Sequence, residues 1–250
     1  MHLDKSATNY VNQVFAAAKL AIEDQERRNP TQKNQSAWDT ILSRKPYKNQ
    51  CKPPAPKASF VANRLFRPLS EIISSCECLQ NVLVYTKSFP YKRQGISRVA
   101  YLKYHVENYL NELYVLMNRM IAYCKAIERA YKKSDCAEHV SVTLQALREK
   151  VRYVFEGYTS VRGAHVHEHR YSDHDFDRLA TLELLTTNSL EFSNILISEY
   201  NDAYKEIRSK WIARIKSDLR AIEDLVNSCL STISDAIVRD DILLIPKGLT

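Results

Sequence analysis

Apolar residues recur at three- and four-residue steps along most of the chain, which is the period of a helix with one buried face. Leu3, Ala7, Tyr10, Val14, Ala17 and Ala21 predict a first helix over 4–28, ended by Asn29-Pro30. From 30 to 58 the pattern lapses into a polar, basic stretch with Pro46, Pro53, Pro54 and Pro56, expected to be a loop with a short helical turn around Trp38–Leu42. A second helix is expected to start near Pro68, a first-turn proline, with Leu69, Ile72, Ile73, Cys76, Leu79 and Leu83 as its stripe. After a connection from Ser88 to Gly95, Ser97 caps a third helix to about Tyr131, roughly 50 Å long at 1.5 Å per residue. Lys132 to Asp135 reads as a polar turn.

A fourth helix carries Val140, Leu144, Leu147, Val151, Val154 and Phe155, and Gly157 and Gly163 are expected to interrupt or end it. Asp175 is the expected cap of a fifth helix through Phe176, Leu179, Leu182 and Leu185, with a break near Asn188. The chain then reads as helical to about Val238. Tyr204, Ile207, Trp211, Ile215, Leu219, Ile222, Val226, Cys229 and Ile233 form a coiled-coil-like seam along it. The apolar tail Ile242–Ile245, closed by Pro246, would dock as a short strand or an extended segment. The fold class is therefore all-α: a helical bundle with a long C-terminal coiled-coil-like helix. Its expected divisions are 1–58 (first helix and basic loop), 59–200 (helical bundle) and 201–250 (long helix and tail).

Composition sharpens this picture. Only Gly95, Gly157, Gly163 and Gly248 are glycines, too few for the many tight turns of a sheet protein. The same scarcity excludes a glycine-rich phosphate loop, and there is no Gly-x-Ser-x-Gly nucleophile elbow. None of the six cysteines is spaced as in a zinc knuckle or redox motif. With no leader-like start and no apolar run near the roughly 20 residues of a membrane span, a cytoplasmic protein with no membrane partner is expected.

The net charge is +7, and the excess is local: between Asp39 and Glu107 the only acids are Glu71 and Glu77. That block suits a polyanion such as RNA, with Lys45, Lys48, Lys52, Lys92 and Arg93 as candidate contacts, although a basic stretch can also be a merely solvated face.

The candidate chemistry lies in Arg162-Gly163-Ala164-His165-Val166-His167-Glu168-His169-Arg170. Histidine gives and takes a proton near neutral pH, and arginine grips phosphate in two-pronged fashion. Together they suit RNA cleavage: a histidine serves the ribose 2′-hydroxyl or the leaving 5′-oxygen, and an arginine neutralises charge on the phosphoryl oxygens. That chemistry needs neither metal nor cofactor.

An arginine followed by four residues and a histidine resembles the signature of the HEPN superfamily, all-helical ribonucleases of defence and toxin systems. The match covers Arg162, Val166, His167 and Glu168, while Gly163 departs from the family's polar residue. Tyr104-His105-Val106-Glu107-Asn108-Tyr109 resembles a stretch found upstream in a HEPN subgroup. The resemblance covers roughly 65–200. It implies a metal-independent endoribonuclease with Arg162, His167, His169 and Glu168 as candidate catalytic residues, and Glu107 and Asn108 as support. It also implies a homodimer and a possible protein partner or antitoxin.

Residues five apart on an unbroken helix point about 140° from each other, so Arg162 and His167 would meet only if Gly163 bends the chain, whereas His169, at seven, nearly aligns. Alternatives stay open. His165, His167 and His169 would form a metal-binding face on a strand, the segment could be a loop without chemistry, and the chain could be a non-catalytic helical interaction or RNA-binding module, even a subunit of a larger defence assembly. Glu107 and Asn108 are expected to make helix-packing hydrogen bonds, and Tyr101, Tyr109, Tyr114 and Tyr123 to serve core and helix contacts. The seam from Tyr204 to Ile233 supplies a separate reason for a dimer if the other helices leave it exposed, and none if the third helix covers it.

Overall fold

The computed structural model describes residues 3–28, 56–90, 95–167, 173–188 and 193–246, with the backbone alone at 25, 26, 28, 159–167, 188 and 193. Its helices are α1 (Lys5–Arg28), α2 (Pro56–Phe60), a π-helical segment (Val61–Phe66), α3 (Arg67–Thr86), α4 (Arg98–Tyr131), α5 (Ala137–His167), α6 (His174–Asn188) and α7 (Ser193–Ile237). A two-stranded hairpin follows, β1 (Val238–Arg239) and β2 (Ile242–Leu243). The all-α fold with a long C-terminal helix is as the periodicity implies. No helix among the described residues is long and apolar enough to cross a membrane.

Two compact units share these helices. One gathers 3–71, 122–148 and 227–250; the other gathers 1–2, 72–121 and 149–226.

In the first unit, Asp4 caps α1: its Oδ1 accepts the Ala7 N–H at 2.8 Å and the Ser231 hydroxyl at 3.0 Å. α1 buries Ala7, Tyr10, Val14 and Ala18, so Ala18 takes the core position expected of Ala17. The buried hydroxyls of Tyr10 and Tyr123 hydrogen bond to each other, meeting the partner requirement of a phenol out of water. The tail docks as a strand: Val238 pairs with Leu243 and Arg239 with Ile242. Asp240 and Asp241 turn between them at φ 49° and 57°, a left-handed pair that aspartate tolerates in tight hairpin turns. The Tyr131 hydroxyl, donating to the Leu244 carbonyl, fastens the tail to the end of α4.

The helix expected near Pro68 starts at Arg67, as α3, but the helical path runs into it from Pro56 through the π segment that precedes Pro68. Proline lacks an N–H and its ring crowds the carbonyl four residues back. A wider turn, in which the Arg67 N–H reaches Ala62 O, accommodates it.

In the second unit, Ser97 caps α4 as expected, accepting the Ala100 N–H at 3.0 Å and donating to Glu183 Oε2. Tyr200 donates to the other oxygen of Glu183 at 2.8 Å. Arg98 lies over the Tyr204 ring at 4.0 Å and donates to Asn201 Oδ1, so the start of α4 is held against α7 by a cation–π contact and a hydrogen bond. Arg208 closes the end of α3 by donating to the carbonyls of Thr86 and Lys87. The cap of α6 is Asp173, which accepts the Phe176 N–H at 2.9 Å, not Asp175 two residues on. α6 ends at Asn188, near the expected break.

Two further expectations change. α5 runs without interruption past Gly157 and Gly163 to His167. Gly157 costs an α-helix about 1 kcal/mol relative to Ala, less than the packing of the buried Val151 and Phe155 supplies. The seam of α7 is also satisfied within the chain: Tyr204, Ile207, Trp211, Ile215, Ile222, Val226, Cys229 and Ile233 are buried and Leu219 is half-buried. It therefore offers no apolar stripe for a second copy to cover.

Candidate functional site

The helix α5 carries both Arg162 and His167, and His167 is its last residue. Side chains at 159–167 lie outside the described residues, as do Glu168 and His169 entirely. The candidate RNA contacts Lys45, Lys48, Lys52, Lys92 and Arg93 also lie outside them. The helical register still constrains the pair. With no break at Gly163, positions 162 and 167 stand about 140° apart around the axis. The bend that would bring them to one side of the helix is not there.

One turn before Arg162 stands Tyr158, the last residue of this stretch whose side chain is described. It belongs to a polar cluster built from three helices of one unit. Tyr109 on α4 is fully buried and donates its hydroxyl to Asp218 Oδ2 on α7 at 2.8 Å. Tyr158 on α5 hydrogen bonds to the same carboxylate. Arg214, one turn before Asp218 on α7, approaches Oδ2 at 3.9 Å. Burial, followed by the Asp218 charge, pushes the Tyr109 phenol far above its ordinary value, and burial pushes Tyr158 up to about 12. Both phenols are therefore neutral donors at physiological pH, converging on one carboxylate beside a guanidinium. The cluster fixes the turn of α5 from which the Arg162 segment departs.

The Tyr104–Tyr109 stretch divides across α4. Val106 and Tyr109 are buried, Glu107 and Asn108 are half-buried, and Tyr104 is exposed. His105 is buried and ringed by Tyr101, Tyr85 and Tyr104, with ring centroids at 4.4, 5.2 and 5.3 Å. Its Nδ1 has no hydrogen-bond partner among the described residues, and desolvation lowers its pKa. The ring is thus held neutral as an aromatic packing element. The expected packing hydrogen bond of Glu107 is not found at Oε1, which is buried and without a partner among the described residues. Of the tyrosines read as core, Tyr109 and Tyr123 are buried and Tyr101 and Tyr114 half-buried.

Tyr158, Asp218 and Arg214 were not legible as a group in the sequence. The partners are separated by 109 residues in the Tyr109–Asp218 bond, and no local spacing signals such a contact. Among the described residues no group of His, Cys, Asp or Glu is arranged to hold a metal ion. Against protein-family models, curated proteins and solved structures, the chain finds no match.

Proposed function

We propose that the chain is a metal-independent endoribonuclease of HEPN type, acting in a defence or toxin setting. What supports the reading is the pair of residue types, Arg162 and His167 at the end of α5, a turn beyond the Tyr109–Tyr158–Asp218 anchor. In this reading a histidine takes the proton of the ribose 2′-hydroxyl. The 2′-oxygen attacks phosphorus, the bond to the 5′-oxygen breaks, and that oxygen is protonated as it leaves. Arg162 neutralises the charge on the phosphoryl oxygens. The products are a 2′,3′-cyclic phosphate and a 5′-hydroxyl.

The register of α5 bears on how such a site is completed. Positions about 140° apart do not converge within one helix, so the reading calls for two copies that bring two Arg162–His167 segments together. Leu184 on α6 and Ile195 on α7 are large apolar side chains left exposed, and each is a candidate contact for a second copy. Light scattering of the parent chain and of a Leu184→Asp/Ile195→Asp variant tests this: a dimer mass lost in the variant supports it, and a monomer that still cleaves RNA overturns it.

The same register favours a second reading, a non-catalytic helical module that holds RNA or a protein. Incubation of the purified protein with total RNA in EDTA, followed by end-group analysis, separates the two. New 5′-hydroxyl ends support the ribonuclease; intact RNA supports the module.

A further inference from the structure

On the end of α4, in the first of the two units, four cations line one open cavity of about 790 Å³. Arg129 lies in the last turn of the helix, Lys132 and Lys133 in the polar turn after it, and Arg64 in the facing π segment. All four are exposed, and no residue of the lining is acidic. The neighbouring carboxylates in sequence are Glu128, which accepts from Ser141 at 2.8 Å, pairs with Arg148 and also feels the Arg129 charge, and Asp135, two residues past Lys133 and outside the lining. No salt bridge among the described residues involves any of the four. A cation near a helix C-terminus also offsets the helix dipole, which accounts for Arg129 and its two neighbours. It does not account for Arg64, which sits where the helical path continues into α3 and has no terminus to offset.

Like charges gathered in a concave site repel one another unless an anion enters between them. We infer that this cavity is a binding groove for the phosphodiester backbone of a nucleic acid, with Arg64, Arg129, Lys132 and Lys133 as its phosphate contacts. The lining decides among the anions. A mononucleotide site would present an aromatic face to stack the base, but Phe60 is buried and packed edge-on against Tyr131 at 6.2 Å. An acidic peptide would need a cluster of exposed apolar anchors, whereas Phe60 and Pro246 of the lining are buried and Pro56 alone is an exposed apolar ring. Charge without base or side-chain pockets suits a chain of phosphates read without sequence preference. The choice of RNA over DNA rests on the ribonuclease reading; the phosphate chemistry rests on the groove alone.

The test is equilibrium binding of a fluorescein-labelled oligouridine to the full chain in EDTA, followed by anisotropy over a salt series. In the Arg64→Gln/Arg129→Gln/Lys132→Gln/Lys133→Gln variant, affinity is expected to fall at least about tenfold. The slope of log K against log salt should become shallower by about two to three, at roughly 0.7 per phosphate contact on a single strand. A control that removes the same charge elsewhere, Lys5→Gln/Lys19→Gln/Lys216→Gln/Arg220→Gln, should keep the parent slope; all four positions are exposed. Equal losses in both variants would mean diffuse attraction and overturn the groove. Polyglutamate displacing the oligouridine as well as an equal charge of unlabelled oligouridine would overturn the phosphodiester assignment. Oligothymidine of the same length binding equally well leaves the groove standing as a phosphodiester site with no preference for RNA. A chain that binds through this groove but never cuts RNA refutes the ribonuclease and not the groove. A chain that cuts with unchanged KM after the fourfold substitution refutes the groove and not the ribonuclease.

Discussion

Tyr109 and Asp218, from the two longest helices of the described chain, meet in a 2.8 Å hydrogen bond at a fully buried phenol. The same carboxylate receives Tyr158, so one aspartate ties α4, α5 and α7 together immediately before the Arg162 segment. A buried phenol that loses its acceptor bears the full cost of desolvation. The cluster therefore matters to the site through the rigidity of α5.

Replacing Tyr109 with Phe should cost about 1.5–3 kcal/mol, the range for a hydrogen bond to a charged group. Asp218→Asn should cost less than Asp218→Ala, because the amide oxygen still accepts one phenol. Urea unfolding of the three variants checks the order. A Tyr109→Phe variant as stable as the parent would show that the bond carries no net stability.

Gly157→Ala should stabilise the chain by about 0.5–1 kcal/mol. Its position is helical, and a methyl group there would meet nothing within 4 Å. Alanine loses less backbone entropy on folding than glycine does. Thermal unfolding measures it, and a lower Tm than the parent would mean that α5 is not regular at this point.

His105 gives the protein an acid-sensitive core. Its folded pKa lies below the ordinary 6.5 because burial disfavours the charged ring. Below about pH 6.5 the unfolded chain binds this proton while the folded chain resists it, so the His105 contribution to stability is intact above that pH and declines as pH falls toward the folded pKa. His105→Phe should flatten the dependence of unfolding free energy on pH below about 6.5. Identical pH profiles for parent and variant would contradict the neutral, desolvated ring.

Local signals in the sequence carried the helices and their caps where one side chain decides the outcome. Ser97 was legible because a hydroxyl before Val99 and Leu102 is a strong start. The cap at Asp173 was misread by two positions because Asp175 offers the same chemistry. Gly157 and Gly163 were misread because each weakens a helix locally by an amount that packing overrides, and the helical path before Pro68 was missed because a π turn absorbs the proline. The burial of the α7 seam depended on which helices reach it, which periodicity does not encode. The Tyr109–Tyr158–Asp218 cluster is non-local in the same way. Arg162 and His167 were legible as residue types at a suggestive spacing, whereas their angular relation follows from the unbroken helix that carries them.

The central claim is that Arg162 and His167 cut RNA without a metal. Its most direct measurement compares cleavage of one defined RNA in EDTA by the parent chain, Arg162→Ala and His167→Ala, with circular dichroism confirming that each is folded. The account predicts a parent that leaves 5′-hydroxyl ends, and variants slower by about 10²–10⁴, the usual worth of a positioned acid, base or charge-stabilising group. Loss in His169→Ala alone would move the histidine role to the longer spacing. Variants that cleave at the parent rate, or a parent that leaves RNA intact, would contradict it.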